Sequence, residues 1–158
     1  MPKITTCLWF DRDAEAAAKF YCAIFPNSKI TDVSRYPENL PGERAGEVLT
    51  VAFELDGRPF TGLNGGPQFT FSEAVSFQID VSTQAELDRY WSALLADGGA
   101  ESQCGWLKDR FGVSWQVVPT QLGKLMASPD RAAAGRVAAA MMQMVKLDIA
   151  ALEAAAAS

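Results

Sequence analysis

The chain reads itself twice. Cys7-Leu8-Trp9-Phe10-Asp11 leads into Lys19-Phe20-Tyr21-Cys22-Ala23-Ile24-Phe25, and Ser76-Phe77-Gln78-Ile79-Asp80 leads into Arg89-Tyr90-Trp91-Ser92-Ala93-Leu94-Leu95. The second copy follows the first by about seventy residues, and self-similarity at a fixed period is a fold-level signal. Each copy passes from an alternating run to a helix-period run with two adjacent aromatics in its middle. Whatever one copy folds into, the other must fold into as well.

In the first copy, Ile4 to Phe10 alternates and reads as a strand. Asp13 is placed to cap the following helix, with Glu15 in its first turn. Ala17, Phe20, Tyr21 and Ile24 form the helix's apolar stripe, and Pro26-Asn27-Ser28 ends it. Lys29 to Tyr36 reads as a strand and Pro37 to Gly46 as a loop. Glu47 to Leu55 and Pro59 to Asn64 read as strands joined by an Asp56-Gly57 hairpin.

In the second copy, Val75 to Val81 is the opening strand. Thr83-Gln84-Ala85-Glu86 is a capping box for a helix with Leu87, Tyr90, Trp91, Leu94 and Leu95 on one stripe. Asp97-Gly98-Gly99 ends that helix. Glu101 to Cys104, Trp106 to Asp109 and Val113 to Val118 follow as short strands. Beyond Pro119, Gln121 to Ala127 reads as a short helix. Ser128-Pro129-Asp130 starts another, running to about Met144 with Val137, Met141, Met144 and Val145 as a packing stripe. Asp148 to Ala156 continues helical.

Each copy is therefore β-α-β-β-β. The expected fold is α+β: two tandem βαβββ modules with extra C-terminal helices, residues 1–158 forming a single domain. Module one covers about residues 1–70, module two about 71–119, and the helical extension about 120–158. A curved sheet with one helix leaves its concave face uncovered. The modules are expected to pair, within the chain or with a second subunit, and a homodimer sealed by the C-terminal helices is the expected partner state.

Composition removes some functions. The net charge is −5 with no basic run, which argues against a nucleic-acid partner. No stretch approaches the length of a membrane span, and Met1-Pro2-Lys3-Ile4-Thr5-Thr6 lacks a signal layout, so a cytoplasmic protein with no membrane partner is expected. Three cysteines without a pairing pattern fit a reducing compartment. Cys7 and Cys22 read as small buried hydrophobes, and Cys104 sits beside Gly105 in a less regular segment. There is no histidine, the usual group for acid–base work near neutral pH.

The order of elements and a set of residues resemble the vicinal oxygen chelate superfamily, to which the glyoxalases belong, and within it the PhnB-like group labelled demethylubiquinone methyltransferase-like. The residues are Leu8-Trp9-Phe10-Asp11, Phe20-Tyr21, Phe53-Glu54-Leu55-Asp56-Gly57, Leu63-Asn64-Gly65-Gly66-Pro67, Phe77, Cys104-Gly105-Trp106-Leu107, Asp109, Phe111-Gly112, Ser114-Trp115-Gln116-Val117-Val118-Pro119 and Leu147-Asp148-Ile149-Ala150-Ala151-Leu152. They span almost the whole chain.

In that superfamily four positions often hold a divalent metal through His, Glu or Gln. The resemblance puts Thr6 and Ser76 at the two first-strand positions, Gln116 at the close of the motif beginning at Asp109, and Asn64 near the fourth. These are neutral oxygen donors, weak for zinc, iron or nickel. Related sequences often carry His where this chain has Gln68. No metal site and no other cofactor is therefore predicted. Ser76 and Gln78 share a face with Asp80, suited to a polar ligand, and Trp106 after Gly105 is placed to stack on one. The candidate pocket is Thr6, Asn64, Gln68, Ser76, Gln78, Trp106 and Gln116, with no catalytic group assigned.

The resemblance implies a protein that binds a small polar or aromatic molecule between paired modules, acting as a lyase, isomerase or oxygenase if it is an enzyme. The alternative is a metal-free protein that sequesters a small molecule, and a third reading is a purely structural dimer. Methyltransferase activity has no support, because no Gly-x-Gly loop of the kind that cradles a nucleotide-like methyl donor occurs.

Overall fold

The structure is a computed structural model and describes residues 3–158; Met1 and Pro2, part of the amino-terminal segment read above, lie outside the described residues. Two units emerge, one ending at Phe71 and one from Ser72 to Ser158.

The first unit is built on β1 (Thr6–Phe10), β2 (Lys29–Arg35), β3 (Val48–Leu55) and β4 (Arg58–Asn64), with helix α1 (Ala14–Ile24) between β1 and β2. The sheet order is β1-β4-β3-β2, with β1 parallel to β4 and the other neighbours antiparallel. β1 starts at Thr6, two residues after the alternation begins. The ladder pairs Thr6 with Phe60, and Ile4 outside it is 97% exposed.

Period-two alternation sorts this sheet into two faces. Leu8, Phe10, Val51, Phe53, Leu55 and Phe60 are buried on the face that carries α1, where Ala14, Ala17, Ala18 and Tyr21 meet them. Phe53 and Phe60 stack with centroids 5.4 Å apart, and Tyr21 lies 6.4 Å from Phe53. Full burial of such side chains stabilises by about 1.5–3 kcal/mol each. Gly62 lets the helix approach: a Cβ there would stand 3.1 Å from Ala14 Cβ. Cys7 and Trp9 point the other way. Cys7 is therefore exposed rather than buried, while Cys22 is half-buried and donates its thiol to the Glu54 carbonyl at 3.9 Å.

The second unit repeats the plan. Its strands are β5 (Ser76–Val81), β6 (Ala100–Glu101), β7 (Trp106–Lys108) and β8 (Ser114–Pro119), with α2 (Gln84–Leu95) after β5. The order β5-β8-β7-β6, with β5 parallel to β8, matches the first sheet. Leu87, Tyr90, Trp91 and Leu94 of α2 are buried on the face that carries Val81, Leu107, Trp115 and Val117. Thr83 accepts the Glu86 N–H at 3.2 Å, as the capping box requires, but the Glu86 carboxylate accepts from Ser82 N at 3.1 Å, one residue earlier than the box pattern.

β6 is shorter than the expected Glu101-to-Cys104 strand. Cys104 adopts φ +59 and its N–H donates to the Met144 carbonyl, while the Gly105 N–H donates to Val145. Gly105 has φ +84, and a Cβ there would meet Leu147 Cδ1 at 3.0 Å. The C-terminal chain thus lies against this bend. Helices α3 (Thr120–Met126), α4 (Arg131–Met141) and α5 (Ile149–Ala157) follow. Within the Ser128-Pro129-Asp130 start signal it is Asp130 that caps α4, accepting from Ala133 N at 3.0 Å. Gln84 holds the extension to α2, donating to the Leu147 carbonyl at 3.1 Å and accepting the Ile149 N–H at 2.9 Å. Among the described residues no helix is long and apolar enough to cross a membrane.

Candidate functional site

The alternation that buries Val81 and Trp115 and half-buries Phe77 turns Ser76, Gln78 and Asp80 of β5 away from α2. Ladder pairing continues that polar face across the sheet. Ser76 faces Ser114 and Gln78 faces Gln116 on β8; Gln116 in turn faces Trp106, and Ser114 faces Lys108, on β7. Four of the seven candidate residues, Ser76, Gln78, Trp106 and Gln116, therefore share one open sheet face. Gln116 Nε2 donates to Ser76 Oγ at 2.9 Å and Gln78 Nε2 donates to Asp80 Oδ1 at 2.8 Å. Each amide keeps its carbonyl oxygen for a ligand's donor.

A cavity of about 230 Å³ opens at one end of this face, lined by Glu73, Trp106, Lys108 and Ser114 and by the β6 edge. Lys108 pairs with Glu73, and that ammonium holds the exposed Glu73 carboxyl below the usual carboxylate range. Glu73, Lys108 and Ser114 are additions to the sequence-derived set. Lys108 and Ser114 were legible in principle, alternating with Trp106 and Gln116. Glu73 precedes β5 and carried no periodic signal.

The turn between β7 and β8 is fixed by Asp109. Its Oδ1 accepts from Phe111 N at 2.8 Å and Val113 N at 3.1 Å, and its Oδ2 accepts from Trp115 Nε1 at 2.9 Å. The carboxylate is 3% exposed, so it serves as the anchor that sets where β8 begins.

The remaining candidates lie in the first unit and elsewhere on it. Thr6 alternates with Leu8 and Phe10, on the α1 side of its sheet, whereas Ser76 faces away from α2. Spacing treats the two as equivalent, but they occupy opposite faces. Asn64 is 4% exposed; its Oδ1 accepts the Ala14 N–H at 2.9 Å and its Nδ2 donates to the Val48 carbonyl at 3.1 Å. Asn64 thus performs the capping that sequence assigned to Asp13, whose side chain makes no cap bond. Gln68 is exposed and its side chain folds over Gly66.

The first unit has its own cleft, of about 490 Å³, lined by Asp11, Arg12, Tyr36, Leu40, Arg44 and Pro67 among others. Arg12 pairs with Glu47 at 3.2 Å and Arg44 with Asp11, and the Tyr36 hydroxyl donates to the Asn64 carbonyl at 2.6 Å.

The superfamily's divalent metal does not fit the residues present. Both polar atoms of Asn64 are engaged, Thr6 lies on the helix side, and Ser76 already accepts from Gln116. Among the described residues no group of three or more His, Cys, Asp or Glu is placed to hold a metal ion. The four family positions are thus amide and hydroxyl groups, suited to hydrogen bonding and poor at holding hard or borderline cations.

Comparison with known proteins places this geometry in context. The sequence model of the family described as 3-demethylubiquinone-9 3-methyltransferase matches residues 2–118. A PhnB protein from Bacillus cereus, described by the same activity, is 37% identical over 75% of this chain and 100% of its own, with a TM-score of 0.67. Protein PA1353 from Pseudomonas aeruginosa is 19% identical over 75% and 98% of the two chains, with a TM-score of 0.58. The fosfomycin resistance protein FosX from Listeria monocytogenes, solved with Mn(II) and sulfate, is 13% identical over 75% and 89%, with a TM-score of 0.52. The last two share the fold. No curated protein sequence matches the chain.

Proposed function

The chain belongs to the 3-demethylubiquinone-9 3-methyltransferase family, the PhnB-like group of the vicinal oxygen chelate superfamily, and from that premise we propose that it binds a small polar or aromatic molecule without a metal. The ligand lies on the open face of the second sheet. One observation carries the reading: Ser76, Gln78, Gln116 and Trp106 converge on that face, beside a cavity. Concave sites with a few convergent polar groups and an aromatic wall are the usual form of small-molecule sites.

The family's descriptive activity is not carried over. β1 enters α1 through Asp11-Arg12-Asp13, β5 enters α2 through Ser82-Thr83 and β8 runs straight into α3, so no parallel-paired strand enters a helix through a glycine loop for a nucleotide-like methyl donor. The manganese of the Listeria protein is not carried over either, for want of donors. A homodimer belongs to the same proposal, supported by the sheet face that each unit's own helix leaves open. Sedimentation at twice 17.1 kDa is the expected result.

The test is a thermal-shift and NMR screen of the full chain against polar and single-ring metabolites. Binding that Gln116→Ala and Gln78→Ala both weaken is expected. Ligands indifferent to both substitutions would remove the proposal, as would the absence of any ligand across the panel.

A further inference from the structure

We propose that the cavity at the β7–β8 end of this face is a carboxylate subsite, and that its ligand is a single-ring aromatic acid whose carboxylate displaces Glu73 from Lys108. The inference rests on the reading of the open face as ligand-binding and names the ligand's chemical class.

The floor of the cavity is Ser114, 1% exposed. Among the described residues its Oγ is the buried side-chain polar atom with no hydrogen-bond partner. A buried hydroxyl left dry is destabilising, so a group that satisfies it is favoured. Lys108 is the ladder partner of Ser114 and Trp106 that of Gln116. Facing residues of an antiparallel pair have neighbouring side chains. The Lys108 and Ser114 side chains therefore leave the sheet side by side, with the Trp106 indole on the same strand and face as Lys108.

The cavity's occupant is indicated by what Lys108 already holds. Glu73 reaches over from the segment before β5 and pairs with it. The Glu73 side chain is 61% exposed, and so exposed a pair contributes little. Glu73 also leaves Ser114 Oγ without a partner. A free carboxylate that reaches deeper gains both the ammonium and the Ser114 hydroxyl, and Trp106 offers its face to a ring attached behind the acid. A volume of about 230 Å³ lies below the ~300–1,000 Å³ of drug-sized sites, which limits the ligand to about one ring.

The experiment titrates the full chain with benzoate, with benzyl alcohol as the neutral ring and acetate as the ringless acid. Calorimetry gives the affinity and two-dimensional NMR its location. Benzoate is expected to bind at least roughly tenfold more tightly than either control. Glu73→Gln, a surface change, is expected to tighten benzoate roughly two- to fivefold by removing the tethered competitor. Ser114→Ala is expected to weaken benzoate while leaving the free protein at least as stable, a split that a purely structural serine would not give. Equal binding of benzoate and benzyl alcohol overturns the inference, as does an unchanged benzoate affinity in Glu73→Gln. If benzoate fails while other panel molecules bind through Gln78 and Gln116, the carboxylate subsite falls and the parent reading stands. If nothing binds this face, both fall.

Discussion

Replacing Asn64 with alanine is expected to cost about 2–4 kcal/mol of stability. Its Oδ1 accepts the N–H of Ala14, the first residue of α1 and 0% exposed, so truncation strands a donor that water cannot reach. An unsatisfied buried group costs about 1–3 kcal/mol. Its Nδ2 also donates to the Val48 carbonyl; Val48 is half-buried, so that loss adds about 0.5–1.5 kcal/mol. The control is Asp13→Ala at the N-cap. Asp13 makes no side-chain cap bond, so its removal is expected to cost under about 0.5 kcal/mol, where a true capping residue costs about 1. The assay is urea unfolding followed by both tryptophan fluorescence and far-UV circular dichroism. Coincident curves would license a two-state treatment. In a chain of this size the Asn64→Ala penalty corresponds to a melting-temperature drop of roughly 5–15 °C. A larger effect at Asp13 than at Asn64 would refute the reasoning, and would return Asn64 to the list of residues free to meet a ligand.

Trp91→Ala is expected to destabilise by about 3–5 kcal/mol, because Trp91 is 3% exposed and its Nε1 donates to Glu101 at 3.0 Å; a change below about 1 kcal/mol in the same assay would show the site to be loosely packed. Gln68→His is expected to leave zinc and nickel affinity unchanged by calorimetry, since Gln68 is exposed and folds over Gly66; a tight stoichiometric site would place the loop elsewhere. Asp88 accepts hydrogen bonds from Lys146 and Gln84, which lower its carboxyl from its ordinary value. A carboxyl lowered in the folded state stabilises above its unfolded value and loses that contribution as pH falls through the folded one, so wild type and Asp88→Asn should differ by under about 1 kcal/mol near neutrality and converge in acid below pH ~4. A gap that widens on acidification would contradict the assigned sign.

The amino-acid sequence alone determined the repeat and the elements. Period-two and period-3.6 patterns are local, so the two βαβββ units, the Asp56-Gly57 hairpin and the Thr83 cap were all legible without a neighbour in space. The residues of the closing motif were legible too, but their job was not. Asp109 anchors a turn through three bonds that only the folded chain brings to it. What the tertiary structure decided was which face each residue joined and which partner it met. A one-residue error in aligning β1 with β5 flips a side chain to the other side of its sheet, and this put Thr6 beneath α1 while Ser76 stayed on the open face. Asn64 is fifty positions from Ala14 in sequence and 2.9 Å from it in space, and no local pattern reports such a contact. Cys104 stands outside β6, with φ +59, and its N–H donates to the Met144 carbonyl of the C-terminal chain, forty positions away. Glu73, Lys108 and Ser114 meet around one cavity for the same reason: sequence fixes which groups a strand can present, and ladder pairing fixes which of them stand side by side.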